Sequence, residues 1–265
     1  MMPPSHAKLE RRPPQRILHS LIRGVDRLKK QKNLTLAVYY RIKEMMLNYE
    51  IVPGQRLVFV DLAEQLGVSR TPVNNALSIL AKEGYLDFVP NQGYSVHRLT
   101  QEEAEALYEI REILEVGTIG KAIRKMSDRD LKVFKQRKLD YANAITDRVH
   151  RKLFILDTEF HAGLIEMTGN AIIAGKYRDI CQKIFLRHRT EDLRIERIRQ
   201  IVEEHERIFE AVSLKDVART KELIKDHNIN ARKNLFSIIF QHEQASRKIK
   251  TVESKDTQPA TVEVE

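Results

Sequence analysis

Cysteine is almost absent: Cys181 stands alone in a chain of 265 residues. A lone thiol excludes a disulfide framework and every structural zinc site built on several thiolates. No apolar run approaches the ~20 residues that a membrane-spanning helix needs. The N-terminus is basic and Pro-rich with no apolar core segment, so no secretory signal is read there. Together these absences point to a reducing, cytoplasmic setting. No His-Glu-x-x-His motif occurs either, and Glu203-Glu204-His205 does not supply one. A basic excess is missing from most of the chain as well. The formal charge is +9, yet residues 1–33 hold nine Lys/Arg against two Asp/Glu, residues 34–99 hold six of each, and only +2 is left for residues 100–265.

What is present falls into four stretches. The arm "HAKLERRPPQRILHSLIRGVDRLKKQKN", within residues 1–33, is expected to be largely flexible, with at most one short helix where Ile17, Leu18, Leu21 and Ile22 give an amphipathic hint. Residues 242–265 are polar, lack apolar periodicity and are expected to form a disordered tail. Between these ends, 42% hydrophobic composition supports packed cores, and the length suits two modest domains, 34–99 and 100–241.

In the first, Leu36, Tyr39 or Tyr40, Ile42 and Met46 recur at helical spacing, which predicts a helix ending near Asn48 before the Pro53-Gly54 turn. "FVDLAEQLGV" predicts a second helix closed by Gly67. A third opens at "SRTPVNN", where Ser69 or Thr71 can cap, Pro72 costs no needed amide, and Val73, Ala76, Leu77 and Leu80 share one face. "YLDFV" and "YSVHR", joined by Pro90-Asn91-Gln92-Gly93, then read as a hairpin. This order is that of a winged helix-turn-helix. The free amides and dipole of the third helix favour phosphate, and Arg70, Thr71, Asn74 and Asn75 can reach base edges of double-stranded DNA.

The stretch "PGQRL…LAEQLGVSRTPVNNAL…GYL…PNQGYSV" resembles the DNA-binding domain of the GntR family. "LYEIREILE" resembles the opening of the FCD effector domain found in the FadR-like branch, and the likeness runs from about residue 34 to 240. It implies a homodimer on a short palindromic operator, with Arg70 and Thr71 at the DNA and Gly93 at the wing tip. The chain departs from the family at Val60 and at Asn74-Asn75, where members carry arginines used at DNA. Asn pairs with adenine rather than guanine, so the family's usual operator is not expected.

From Thr100 onward the pattern is helical throughout. Thr100 to Glu103 forms a capping box opening a helix to about Met126, Ser127 can cap the next, and further helices fit 128–146, 150–168, 171–189, 195–213 and 216–240. The expected fold is thus mainly α, a winged helix-turn-helix followed by an antiparallel all-helical bundle. Polar residues interrupt the apolar faces of that bundle. Asp157 and His161 share a face with Leu153, Phe160 and Leu164; His205 lies in the stripe Ile201, Ile208, Val212; His227 lies in the stripe Ile224, Ala231, Leu235. A single core histidine is ordinarily just hydrogen-bonded, whereas four such groups together are satisfied at once by one divalent cation.

The resemblance agrees, since metal-binding FCD domains have Asp-x-x-x-His followed by two histidines, matching Asp157, His161, His205 and His227. Zinc leads as the metal, with nickel, manganese and iron compatible. The family implies a small organic acid effector at that metal, which Arg111 could hold through a bidentate pair; an ion pair with Glu115 one turn on is the other reading of Arg111. Asn170 matches a family position near the effector, and helix capping accounts for it equally. The function expected is a ligand-responsive regulator, a repressor before an activator. A metal-dependent hydrolase fused to a DNA-binding module, and a constitutive DNA-binding protein with a structural metal, stay open.

The charge distribution yields a test. If the arm contacts phosphates, deleting residues 1–32 lowers affinity for every DNA sequence and flattens the dependence of log affinity on log salt. An unchanged slope would reduce the arm to a solvated tail.

Overall fold

A computed structural model describes residues 33–145, 152–187 and 195–255, with side chains to residue 237. The described residues divide into two compact units, one within Met1–Glu44 and Leu57–Tyr94 and the other within Met45–Arg56 and Ser95–Glu265. The basic arm lies outside the described residues.

Helix α1 spans residues 33–47, all but its last three residues belonging to the first unit. Its inward face is Val38, Tyr39, Ile42, Met45 and Met46, while Leu36 is 50% and Tyr40 61% exposed. Tyr39, Ile42 and Met46 are inward as expected, and Leu36 alone is not: it sits off the face that Val38, Ile42 and Met45 share. Strand β1 (Arg56–Leu57), helix α2 (Phe59–Gln65) and helix α3 (Arg70–Lys82) follow. Gly67 has φ +64°, the left-handed turn that lets α2 end and α3 begin three residues later. Ser69 occupies the N-cap of α3 but its side chain makes no cap bond, and Thr71 lies within the helix. Val73, Ala76, Leu77 and Leu80 are all fully buried, as their spacing predicts. Strands β2 (Leu86–Val89) and β3 (Gly93–Val96) complete a sheet of order β1-β3-β2, with positive φ at Asn91 and Gly93 turning the hairpin.

The second unit is helical: α4 (Gln101–Lys125), α5 (Asp128–Asn143), α6 (Lys152–Glu166), α7 (Ala171–Leu186), α8 (Ile195–Ser213) and α9 (Val217–Lys255). Neighbours in sequence pack side by side, α5 on α6, α6 on α7 and α8 on α9, while α4 packs on α6, α7 and α9. Their core gathers Ile119, Phe134, Phe160, Leu164, Ile208, Val212 and Ile224. Phe134 and Phe160 stack at 4.5 Å. The helix ends expected at 146, 150 and 189 lie outside the described residues. At the C-terminus the structure corrects the expected tail, since α9 continues to Lys255. Residues 242–255 contain neither Gly nor Pro and are rich in Lys, Arg, Glu and Gln, so they sustain a helix without the apolar stripe used as the criterion.

Four residues join β3 to α4, and a clasp holds them. Thr100 accepts from the Glu103 amide at 3.2 Å while Glu103 accepts from the Thr100 amide at 3.2 Å, a complete capping box. The same carboxylate meets His97 Nε2 at 2.7 Å and accepts from Arg187 Nη2 at 2.7 Å, and the Leu99 amide donates to the Arg187 carbonyl at 3.0 Å. These contacts outweigh the burial that would raise the Glu103 pKa and hold it down at about 2. Thr100→Ala is expected to cost the helical unit about 1 kcal/mol, read as a lower denaturation midpoint. An unchanged midpoint would show the cap to be dispensable.

Candidate metal centre and DNA-binding face

On α3 the expected DNA-contacting residues fall on one side. Arg70, Thr71, Asn74 and Asn75 are exposed, whereas Pro72, Val73, Ala76 and Leu77 are buried. No acidic residue occupies the first turn and no side chain caps it. The end of α3 thus presents unopposed positive dipole next to a guanidinium and two amides. Gly93, with φ +85°, stands where the hairpin turns.

In the helical unit, α6 contributes Asp157 and His161 one turn apart, α8 contributes His205, and α9 contributes His227. One ligand atom from each lies within 4.8 Å of all the others, and the three histidines are buried. The Asp157 Oδ1 atom is 3.2 Å from His205 Nε2, 3.7 Å from His227 Nε2 and 3.8 Å from His161 Nε2. His161 Nε2 faces His227 Nε2 at 3.1 Å. Ligands held ~2.1 Å from one metal ion stand about 3.0 Å apart at right angles and about 3.4 Å apart at the tetrahedral angle. Two of the observed separations, 3.1 and 3.2 Å, fall between those values, and the other two, 3.7 and 3.8 Å, lie slightly above them.

The outer nitrogens explain why these inner ones converge. His227 Nδ1 is 2.7 Å from Glu204 Oε2, and His161 Nδ1 is 3.5 Å from Glu115 Oε2. The Glu204 carboxylate favours the ring proton of His227 on Nδ1, which leaves its Nε2 free to ligate. His161 Nδ1 makes no hydrogen bond, and the two Nε2 atoms stand close enough to share either a proton or a cation. Asp157 Oδ1 and His205 Nε2, although close, are not aligned to hydrogen-bond and have no other partner. Burial holds His161 well below the ordinary histidine range and lowers His205 too, keeping both in the neutral, ligating form. Burial opposes ionisation of Asp157, but its histidine neighbours and the Arg111 guanidinium outweigh it and keep the carboxyl well below the usual range. The residues therefore fit a divalent transition metal.

Of the two readings of Arg111, the ion pair with Glu115 is present. Arg111 Nε donates to Glu115 Oε1 at 3.0 Å, and its Nη2 lies 3.5 Å from Asp157 Oδ2 without a hydrogen bond. Asn170 caps α7, its Oδ1 accepting from the Ile172 and Ile173 amides. Cys181 is buried and free, its thiol pushed up to about 11 by that burial.

Sequence reasoning did not find Glu204, Tyr177 or the second role of Glu115. Glu204 is clamped by Arg197 at 2.7 and 3.0 Å, and these bonds with His227 bring its pKa down to about 2 against the effect of burial. The Tyr177 ring lies 5.8 Å from the Arg111 guanidinium, and its hydroxyl is buried without a partner. The one available signal was the acidic residue adjoining His205.

Residues 34–96 match the family profile "Bacterial regulatory proteins, gntR family", and residues 106–230 match the FCD domain. The chain belongs to the GntR family. Its FCD domain places it in the FadR-like branch. It is 28% identical over 196 residues to an uncharacterized HTH-type transcriptional regulator of Bacillus subtilis, YdhC, covering 72% of this chain and 86% of that one. It is 31% identical over 140 residues to the Nta operon transcriptional regulator of Aminobacter aminovorans, covering 53% and 66%. Among solved structures, E. coli McbR/YncC superposes with a TM-score of 0.68 at 21% identity, over 77% of this chain and 97% of that one, which shows a shared fold. This GntR-family protein is a transcriptional regulator and not an enzyme, so the hydrolase alternative falls. No described helix is long and apolar enough to cross a membrane.

Purified without chelators, the protein is expected to carry about one transition ion per chain, and His205→Ala to lose most of it, by elemental analysis. Full occupancy in His205→Ala and in His227→Ala would defeat the assignment.

Proposed function

We propose that this cytoplasmic GntR-family protein is a repressor that binds a palindromic operator as a homodimer and leaves it when a small carboxylate effector occupies the FCD domain. The observation that carries this reading is the unbonded Arg111 Nη2 beside the four-residue cluster. Asp157, His161, His205 and His227 would hold the cation, zinc foremost, with Glu115 and Glu204 fixing two of the rings. When bound, the ion supplies a Lewis-acidic anchor for one carboxylate oxygen. Arg111 donates from Nη2 to the other, already oriented by its bond to Glu115. Burial strengthens that charge-assisted contact and excludes water.

Such an effector would touch α4 through Arg111 and lie near Tyr177 on α7. The linker preceding α4 is tied to the end of α7 by Arg187. Binding that favours one packing of α4 against α7 therefore changes what the linker is held to. Two recognition helices in a dimer must match half-site spacing, so a small displacement at the linker is enough to weaken binding. A ligand shifts this equilibrium only by its differential affinity, typically ~1–3 kcal/mol of coupling, or roughly 5- to 150-fold.

Arg70→Ala is expected to weaken operator binding by ~1–3 kcal/mol in an anisotropy titration while leaving metal content intact. By linkage, operator DNA should weaken effector binding by the same factor that effector weakens operator binding. Calorimetric titration of candidate organic acids with and without operator measures this. Equal effector affinities would leave a constitutive DNA-binding protein with a structural metal.

A further inference from the structure

Asp157 is the partly exposed member of the four-residue cluster, its side chain 17% accessible against 1% or less for the three histidines. The approach to it is guarded by charge. Arg111 Nη2 stands 3.5 Å from Asp157 Oδ2, so a cation coming that way must pass a fixed guanidinium, whereas an anion is drawn to it.

A cleft of about 400 Å³ between α8 and α9 reaches the cluster at another point, because His227 and Glu204 both line it. Its charges balance. Arg207 and Lys233 offset Asp226 and Glu204 among the lining residues, so no net repulsion meets a cation there. The floor of the cleft is a short chain of hydrogen bonds across the two helices. Asn230 Nδ2 on α9 donates to Glu204 Oε1 on α8 at 2.8 Å, and Glu204 Oε2 stands 2.7 Å from His227 Nδ1. Arg197 grips the same carboxylate at 2.7 and 3.0 Å, but from α8 itself, seven residues earlier, so it ties Glu204 to its own helix. Asn230 and His227 reach Glu204 from α9, one helical turn apart. While Asn230 holds Glu204 in place, Glu204 keeps the His227 ring turned with Nε2 toward the cluster. Once that bond opens, the carboxylate can shift on Arg197 and the ring can swing toward the cleft, presenting two good ligands for a divalent cation at its floor.

We propose that the α8–α9 cleft is the route by which the metal ion enters and leaves, with the Asn230–Glu204 bond as its latch. The proposal rests on the cluster holding a metal ion, as assigned above. It sorts traffic by charge: cations pass Glu204, anions pass Arg111, and the ion can exchange while an effector stays bound.

Stopped-flow release of zinc from the full-length, zinc-loaded protein to a chromogenic chelator, paired with zinc uptake by the chelated protein, tests this. The Asn230 side chain bonds Glu204 and none of the four cluster residues. Asn230→Ala should therefore speed release and uptake by a common factor, roughly fivefold for the loss of one hydrogen bond, and leave affinity within about twofold. Asn230→Cys supplies the converse. Because Cys181 is buried, a bulky maleimide reacts at position 230 alone and fills the cleft, and both rates should then fall below those of the unaltered protein. Unaltered rates in the labelled protein would overturn the route. So would faster release in Asn230→Ala with unchanged uptake, which would make Asn230 a group that merely stabilises the bound ion. An unaltered protein that holds no zinc would instead remove the metal assignment, and the route with it.

Discussion

Two imidazole nitrogens 3.1 Å apart, each with a carboxylate on the far side of its ring, set the terms for the rest of the helical unit. Both rings are buried. The packing around them is tight: the His205 ring stacks on Phe160 at 4.0 Å and meets Tyr141 edge-on at 4.9 Å. The aromatic core thus fixes the rings in the orientation that brings their nitrogens together, and Arg197 and Arg111 hold the carboxylates that stand behind two of them. Each layer depends on the one outside it. This is how a polar cluster survives in a core whose other members are isoleucine, leucine, valine and phenylalanine.

The DNA-binding unit obeys a simpler constraint, the 3.6-residue period of α3. With Val73, Ala76, Leu77 and Leu80 committed to the core, Arg70, Thr71, Asn74 and Asn75 have nowhere to point but outward. The unit's six basic and six acidic residues leave no excess positive charge for phosphates. Val60, Asn74 and Asn75 stand where the resemblance leads one to expect arginines, and an amide side chain pairs with adenine where a guanidinium pairs with guanine.

Legibility in the sequence followed the strength of periodicity. The winged helix-turn-helix was readable because Gly67, Pro72 and the Asn91–Gly93 turn punctuate short elements at fixed offsets. The ligand cluster was readable because each member interrupts an otherwise apolar stripe. Glu204 was not, since it lies about 100° around α8 from His205, on an edge where an acidic residue raises no question. Glu115 read only as a partner for Arg111, because sequence spacing reveals contacts along one helix and hides those to α6 and α9. Leu36 was placed inward because apolar identity was weighed above register. The extension of α9 was missed for the opposite reason: residues 242–255 carry no apolar stripe to detect.

Glu103 closes the capping box of α4 and also grips His97 and Arg187, so helix start and interdomain linker share one carboxylate. A lineage drifting toward weaker or stronger responsiveness through this residue would disturb folding with every step. Arg187 and His97 carry no such burden, because either can change while Thr100 and Glu103 still cap each other. Tuning among descendants of this regulator should accordingly accumulate on the side of the clasp away from α4, where innovation and foldability are uncoupled.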